Sequence, residues 1–402
     1  IAEVNKIRNA SDIRFNGDKS LIEIIGAEMD DRYIRDLTTI SLSPDAIRRQ
    51  HDIKIVYTPI HGTGTHIIPK ALQAFGFTNI IHVPEQDVIS GDFPTVISPN
   101  PEEAAALHLA VEKARETDAE LVLASDPDAD RVGSAVKNDA GEWILLNGNQ
   151  NAILYVYYLL TRWKETGRLK GKEYIVKTIV TSETIRAIAE RNGVEMYDVY
   201  TGFKWIADIM RRNEGKKLFI GGGEESYGFL CEDFVRDKDA VSGCCMLAEI
   251  AAWAKDRGLT LYRLLQEIYR EYGYSKEMNI SVVKKGKSGA EEIEAMMTRF
   301  RNNPPKELAG SKVATLYDYA SLKGHSFTDN EDFSLHMPTT SNVLQYYAED
   351  HTKVSIRPSG TEPKIKFYIE VHVPNIRTVD DLHAAERQAL EKVEAIKASL
   401  GI

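Results

Sequence analysis

Residues 53–65 read IKIVYTPIHGTGT, an apolar, β-branched run that passes straight into a turn rich in Gly, Pro and Thr. The run has the length and composition of a buried strand, and the turn opens a helical stretch around Ile67–Phe75. Working outward, the same alternation continues. A strand is expected at Ile80–Val83, a helix over Glu102–Glu116 started by Pro101, and a strand ELVLA at 120–124 running into the acidic loop Ser125–Arg131. A helix from about Asn149 to Thr166 closes this unit. A second unit repeats the logic with strand EYIVKTIV (173–180), helix Glu183–Arg191, strand Val194–Val199, helix Phe203–Arg212 and strand KLFIGG (217–222). Helices over Ala240–Lys255 and Leu259–Tyr272 follow. Short strands alternating with amphipathic helices indicate α/β layers, here two related ones.

After a strand near Met278–Val283 the texture changes at KKGKSG (284–289), a linker-like stretch. Beyond it a helix over Ala290–Arg301 precedes the strands VLQYYAE (343–349), TKVSI (352–356) and IKFYIEV (365–371), and an amphipathic helix spans Val379–Leu400. Helices segregated from antiparallel strands predict a smaller α+β domain.

The chain has 402 residues, enough for two or three domains, and its 50 Lys and Arg against 60 Asp and Glu leave a net charge of −10. That balance argues against a protein that neutralises nucleic-acid backbones or coats an acidic membrane surface. Cys231, Cys244 and Cys245 form no CxxC pair and no even framework, which fits a reducing compartment and a cytoplasmic location. No run of about 18 apolar residues is present to span a bilayer.

Four loops carry candidate chemistry. The first is Ser125-Asp126-Pro127-Asp128-Ala129-Asp130-Arg131. Three carboxylates at alternate positions of an extended loop face one way and repel unless a cation sits among them, and oxygen-only ligands favour Mg²⁺ or Ca²⁺. A solvated acidic turn is the alternative. The spacing is not that of an EF-hand, because Arg131 stands where Gly is needed and Lys137 where Glu is needed. An aspartyl nucleophile of the haloacid-dehalogenase type is compatible with the first two carboxylates, but no other feature supports it. The adjoining Arg131 suits a phosphate oxyanion shared with the metal.

The second loop, Arg357-Pro358-Ser359-Gly360-Thr361-Glu362-Pro363-Lys364, packs hydroxyls, a glycine and two cations into a turn between strands. It reads either as a phosphate cradle or as an ordinary solvated hairpin. The third, Gly221–Gly228, places Glu224 and Ser226 two apart, a donor and acceptor pair for vicinal sugar hydroxyls; a tight turn is the plainer reading. The fourth is Thr201-Gly202-Phe203-Lys204-Trp205 at another strand end, where ligands of open α/β sheets gather.

In this order and spacing, TPIHGTG (58–64), FPTVISPNPEE (93–103), DPDADR (126–131), KTIVTS (177–182), TGFKW (201–205), GEESYG (223–228), RDKDA (236–240) and RPSGTEPK (357–364) resemble the α-D-phosphohexomutase superfamily. That superfamily contains the phosphoglucomutases and phosphomannomutases, and the spelling is most similar to the phosphoglucomutase and phosphopentomutase branch. The resemblance implies four domains around one cleft: residues 1–40 as a remnant of the phosphoserine domain, 41–168 as the metal-binding α/β domain, 169–286 as the sugar-binding α/β domain, and 287–402 as the phosphate-binding α+β domain. It implies an isomerase that moves a phosphoryl group between a serine and a hexose phosphate through a sugar 1,6-bisphosphate, with Mg²⁺ held by Asp126, Asp128 and Asp130 and Arg131 beside the phosphoryl group. Thr201, Gly202, Lys204, Glu224 and Ser226 would meet the sugar, Arg357, Ser359, Gly360 and Thr361 the non-reacting phosphate, Lys177 the sugar phosphate, and Lys238 would act as general acid/base or else be a surface ion-pair lysine.

One departure stands out. The family's Thr-Ala-Ser-His-Asn-Pro motif is absent, and Ser98-Pro99-Asn100-Pro101 reads instead as a loop opening a helix. The expectations are therefore a hexose-phosphate mutase, most similar to those acting on glucose, whose present chain is an inactive fragment lacking the serine. The alternatives are a sugar-phosphate and Mg²⁺ binding fragment without turnover, or a pentose- or mannose-phosphate mutase. The partner is a small sugar phosphate, with neither nucleic acid nor membrane; oligomeric state is left open.

Overall fold

The structure is a computed structural model that describes residues 2–284, 286–359 and 363–402. Residues 2–26 hold three short 3-10 turns and no buried side chain. The first unit comprises α1 (Ala27–Thr38), α2 (Pro44–Arg49), β1 (Ile55–Thr58), α3 (Gly64–Phe75), β2 (Ile80–His82), α4 (Ala104–Glu116), β3 (Leu121–Ser125), β4 (Val132–Lys137) and β5 (Trp143–Leu146). Its sheet runs β2-β1-β3-β4-β5, with β1 parallel to both neighbours and β4 and β5 added antiparallel. Every residue of β1 and β3 is buried, as the unbroken apolar runs require of parallel strands covered on both faces.

Next come α5 (Gly148–Glu165), β6 (Glu173–Thr178), α6 (Thr184–Arg191), β7 (Glu195–Val199), α7 (Phe203–Asn213), β8 (Leu218–Gly223), β9 (Phe229–Cys231), α8 (Ala240–Asp256) and α9 (Leu261–Tyr272). The order β7-β6-β8-β9, three parallel strands and one antiparallel, reproduces the first four strands of the preceding sheet. The two units are thus built on one plan, but they exchange helices. The α5 helix does not close the first unit, as its place in the chain suggests; it packs on β8 and α6 of the second. Conversely, α8 packs on α2, α3 and β3 of the first. The buried, apolar α8 therefore joins both units into one continuous core.

The last unit holds β10 (Tyr274–Val283), α10 (Gly286–Asn302), β11 (Glu307–Leu308), β12 (Ser311–Asp318), β13 (Lys323–Ser326), β14 (Glu331–Ser334), β15 (Leu344–Ala348), β16 (Lys353–Pro358), β17 (Lys364–Val373) and α11 (Val379–Leu400). Its sheet runs β10-β17-β16-β15-β12-β13-β14, all antiparallel, with β11 beside β12. The linker-like texture at 284–289 does not mark the seam between sheets. The preceding strand β10 pairs along its whole length with β17, so by hydrogen bonding the division falls between α9 and β10. The strand expected over 173–180 stops at Thr178, where the Thr181 N–H turns back onto the Thr178 carbonyl at 3.0 Å.

Candidate active site

Asp126 directly follows β3 and organises the loop it opens. One of its carboxylate oxygens, Oδ1, accepts the N–H groups of Asp130 and Arg131, both at 2.9 Å. Ala129 takes the left-handed conformation (φ 56°) that closes the turn. The loop rests on the TPIHGTG turn: Thr63 N–H donates to Pro127 O at 2.9 Å, and a Cβ on Gly62 would stand 2.5 Å from Pro127 Cα. This close approach explains the glycine. His61 in the same turn is buried and committed, with Nδ1 donating to Val88 O and Nε2 meeting Thr95 Oγ1, each at 2.8 Å.

The result is a set of carboxylate oxygens from Asp126, Asp128 and Asp130 lying within 4.8 Å of one another, with Asp126 buried and Asp128 exposed. Burial pushes the Asp126 carboxyl up to about 7; the two backbone N–H groups oppose this, and the charges of Asp130 and Asp128 add to it. An all-oxygen donor set of mutually repelling carboxylates fits a hard divalent cation. Arg131 stands between these groups, with Nε 3.6 Å from Asp126 and 3.7 Å from Asp130, and Nη1 3.7 Å from Glu102.

Lys238 completes this corner, its ammonium 2.6 Å from Asp130 Oδ2. A general base needs a lowered pKa, and burial alone pulls Lys238 down, but the Asp130 partner outweighs burial and the net direction is upward. In this geometry Lys238 is an ion-pair partner of the aspartate cluster. Asp239 beside it caps α8, accepting from the Val241 and Ser242 N–H groups, and takes the Tyr33 hydroxyl at 2.6 Å.

The 223–228 loop and the start of α8 are tied to the end of the aspartate loop by backbone. Val132 N–H donates to Tyr227 O at 3.1 Å, and Ala240 N–H to Ala129 O at 3.0 Å. Gly148 lies so close to the 223–228 loop that a Cβ there would meet Glu225 O at 2.0 Å. Within that loop Glu224 N–H donates to Gly228 O at 2.9 Å. The buried Glu224 carboxylate accepts the Gly202 N–H at 2.7 Å, so the 201–205 and 223–228 loops hold each other. Gly202 has φ 113°, a conformation open to glycine. Thr201 and Ser226 are half-buried, and Lys204 is exposed with its ammonium 5.0 Å from the Trp205 ring centroid.

Lys177 stands elsewhere. Its side chain is 1% exposed, and its ammonium is held by Glu183 at 3.0 Å, Asp198 at 2.9 Å and the Thr181 carbonyl at 3.2 Å. Three acceptors use the three donors of an ammonium. The expectation that Lys177 reaches a sugar phosphate is therefore corrected: it is an internal cation under the seam with the last unit.

In that last unit Arg357 ends β16, half-buried, and Ser359 N–H donates to Lys364 O at 2.7 Å across the hairpin. Gly360 and Thr361 lie outside the described residues. Sequence reading missed Lys366, which pairs directly across from Arg357. Like charges in register repel, so the pair is an anion-seeking feature; the available signal was a cation at an interior position of IKFYIEV. A cavity of about 150 Å³ where the three units meet is lined by Glu102, Asn149, Glu225, Tyr227, Glu277 and Tyr368, among others. Its wall includes Glu102, the partner of Arg131. It also includes Tyr368, whose phenol burial and Glu225 push up while the Arg357 charge opposes. Burial, with Glu224 adding, pushes Glu225 up to about 7. Neither the aspartate triplet nor the 357–359 turn lines the cavity itself; each touches it through one neighbour.

Comparison with known proteins identifies the family and the fold. Residues 31–141 match domain II, and residues 147–272 domain III, of the phosphoglucomutase/phosphomannomutase α/β/α domains. The chain is 34% identical over 380 residues to a phosphoglucomutase of Staphylococcus haemolyticus, covering 94% of this chain and 68% of that protein. It is 38% identical over 328 residues to a phosphoglucomutase of Staphylococcus aureus, covering 82% of this chain and 58% of that one. Among solved structures, a phosphoglucomutase/phosphomannomutase family protein of Burkholderia thailandensis shares the fold with TM-score 0.61 at 18% identity, covering 92% of this chain and 64% of that one. Parafusin of Paramecium, in an open form, does so with TM-score 0.59 at 17% identity over 92% and 62%. The chain belongs to the phosphoglucomutase/phosphomannomutase family of the α-D-phosphohexomutase superfamily.

Proposed function

We propose that this chain supplies the metal, sugar and phosphate sites of a hexose-phosphate mutase that interconverts hexose 1-phosphate and hexose 6-phosphate, with glucose as the hexose. The observation that carries the reading is the cluster of three aspartate oxygens within 4.8 Å, beside which Val132, the residue after Arg131, bonds by backbone to Tyr227 of the 223–228 loop. Asp126, Asp128 and Asp130 would hold Mg²⁺, which supplies charge stabilisation for phosphoryl transfer. Arg131 adds a guanidinium for the same oxyanion, and Lys238, kept protonated by Asp130, adds a second positive charge. Glu224, with one carboxylate oxygen on Gly202 N–H, and Ser226 orient sugar hydroxyls, with Thr201, Gly202 and Lys204 on the facing loop. Arg357, with Lys366 across from it and Ser359, Gly360 and Thr361 at the turn, takes the phosphate that is not reacting. In this reading the phosphoryl donor is a phosphoserine, whose motif these residues do not contain, and the intermediate a sugar 1,6-bisphosphate; similarity to proteins named phosphoglucomutase supports the mutase assignment.

Calorimetry with glucose 1,6-bisphosphate and Mg²⁺, alongside a glucose 1-phosphate isomerisation assay, tests the reading. Arg357→Ala is expected to weaken bisphosphate binding at least about tenfold, because a charge-assisted bidentate partner is lost. Equal affinity in both proteins removes the cradle from the scheme, and binding without isomerisation selects the alternative of a chain that binds but does not turn over. A preference for ribose 1-phosphate or mannose 1-phosphate redirects the substrate assignment.

A further inference from the structure

Where β10 and β17 pair, Glu277 stands directly across from Glu370. Residues opposite one another in an antiparallel pair share a face with Cβ atoms about 4.5–5.5 Å apart, and like charges there are destabilising. Both line the cavity where the three units meet. Glu370 is 3% exposed and joins two units: its Oε1 accepts from Ser182 Oγ at 2.9 Å and from Glu183 N–H at 2.7 Å, and its Oε2 lies 2.9 Å from Lys353 Nζ. Glu277 Oε1 is buried and has no hydrogen-bond partner among the described residues.

The charges around the seam do not balance unless Glu277 is neutral. Glu183, Asp198 and Glu370 face Lys177, Lys353 and Arg186 through contacts of about 3 Å or less, three carboxylates against three cations. Glu277 is a fourth carboxyl. The groups near the pair are Lys353 from β16, Ser182 and Glu183 from the loop after β6, Tyr269 from α9, Tyr347 from β15 and His372 from β17, with Glu102, Glu225 and Tyr227 lining the same cavity and Glu386 of α11 near Tyr269 and Tyr274. On β10 itself stand Tyr274 and Lys276. Lys276 precedes Glu277 in the strand and so projects to the opposite face. Burial holds His372 below its ordinary value, so it is neutral at alkaline pH.

We propose that Glu277 carries a proton at neutral pH, and that losing it at alkaline pH sets a second charge beside Glu370 and loosens the hold of Glu370 on residues 182–183 of the middle unit. Burial first, then the Glu370 charge, pushes the Glu277 carboxyl up to about 8 from its ordinary 4.5. Between those pH values the folded chain holds a proton that the unfolded chain has lost, so this contribution to stability falls as pH rises and levels off above about 8. Glu277→Gln keeps a neutral, hydrogen-bonding side chain and removes the titration.

The test compares thermal melting of the unaltered protein and E277Q from about pH 6 to about pH 9, where Glu225 and Asp126 titrate in both proteins and cancel in the difference. The melting temperature of the unaltered protein is expected to fall relative to E277Q by about 3 °C or more over that range. Hydrogen exchange at residues 182–184, corrected for its intrinsic pH dependence, is expected to accelerate in the unaltered protein and not in E277Q. Parallel melting profiles with unchanged exchange overturn the proposal. If E277Q fails to fold, the unaltered protein decides alone: acceleration at 182–184 beyond that of the β1 amides supports the proposal, and its absence overturns it.

Discussion

At the residue scale the three aspartates are not equivalent. Asp126 uses one oxygen to fold its own loop, so replacing it disturbs the loop as well as the charge, whereas Asp128 is exposed and serves no structural bond. Asp128→Asn is therefore the cleaner probe: Mg²⁺ affinity by calorimetry is expected to fall at least about tenfold with melting temperature unchanged. Gly62→Ala does the reverse. Its Cβ would press to 2.5 Å from Pro127 Cα and displace the loop, with an expected loss of about 1–3 kcal/mol by denaturant unfolding and weaker Mg²⁺ binding as a consequence. The aspartate triplet, Glu224 and the 357–364 turn were legible in the sequence because loop chemistry next to an apolar strand is a local pattern. The ion-pair partners of Lys177 and Lys238 were not, since each is set by carboxylates distant in the chain or across a loop: Asp198 and Glu183 for one, Asp130 for the other.

At the scale of elements, the helix α5 shows how a junction is specified. Asn147 Oδ1 accepts the Gln150 N–H at 2.8 Å and Gln150 Oε1 accepts the Asn147 N–H at 3.0 Å, a reciprocal cap at the point where Gly148 meets the sugar-facing loop. Asn147→Ala is expected to cost about 1 kcal/mol in chemical unfolding, typical of a lost N-cap. The alternation of strands and helices was readable, and the two units came out as a repeated strand order. Two assignments depended on partners rather than pattern. The strand at 274–283 reads the same whether it finishes one sheet or starts the next, and only its pairing with β17 decides. A helix following β5 likewise carries no local mark of the sheet it will cover.

At the scale of the whole molecule, the seam between the middle unit and the C-terminal sheet sets buried ion pairs beside an apolar cluster of Ile179, Val180 and Tyr200 with Tyr319, Val343 and Tyr368. Lys353, 1% exposed, reaches across it to Glu183 at 2.8 Å while also pairing with Glu370 at 2.9 Å. Lys353→Met keeps the bulk but leaves two buried carboxylates short of a cation. The expected loss is about 3–5 kcal/mol, checked by urea unfolding. Charged residues inside otherwise apolar strands, Lys353 in TKVSI and Glu370 in IKFYIEV, were the sequence signal for this seam, but which strand each answers to is a property of the assembled fold.

The placement of α8 has an evolutionary corollary. The first sheet is roofed by a segment encoded beyond the second, so a gene split between the two layers would leave the first with an unroofed greasy surface. Recombination can therefore shuffle this pair of layers only as a single cassette.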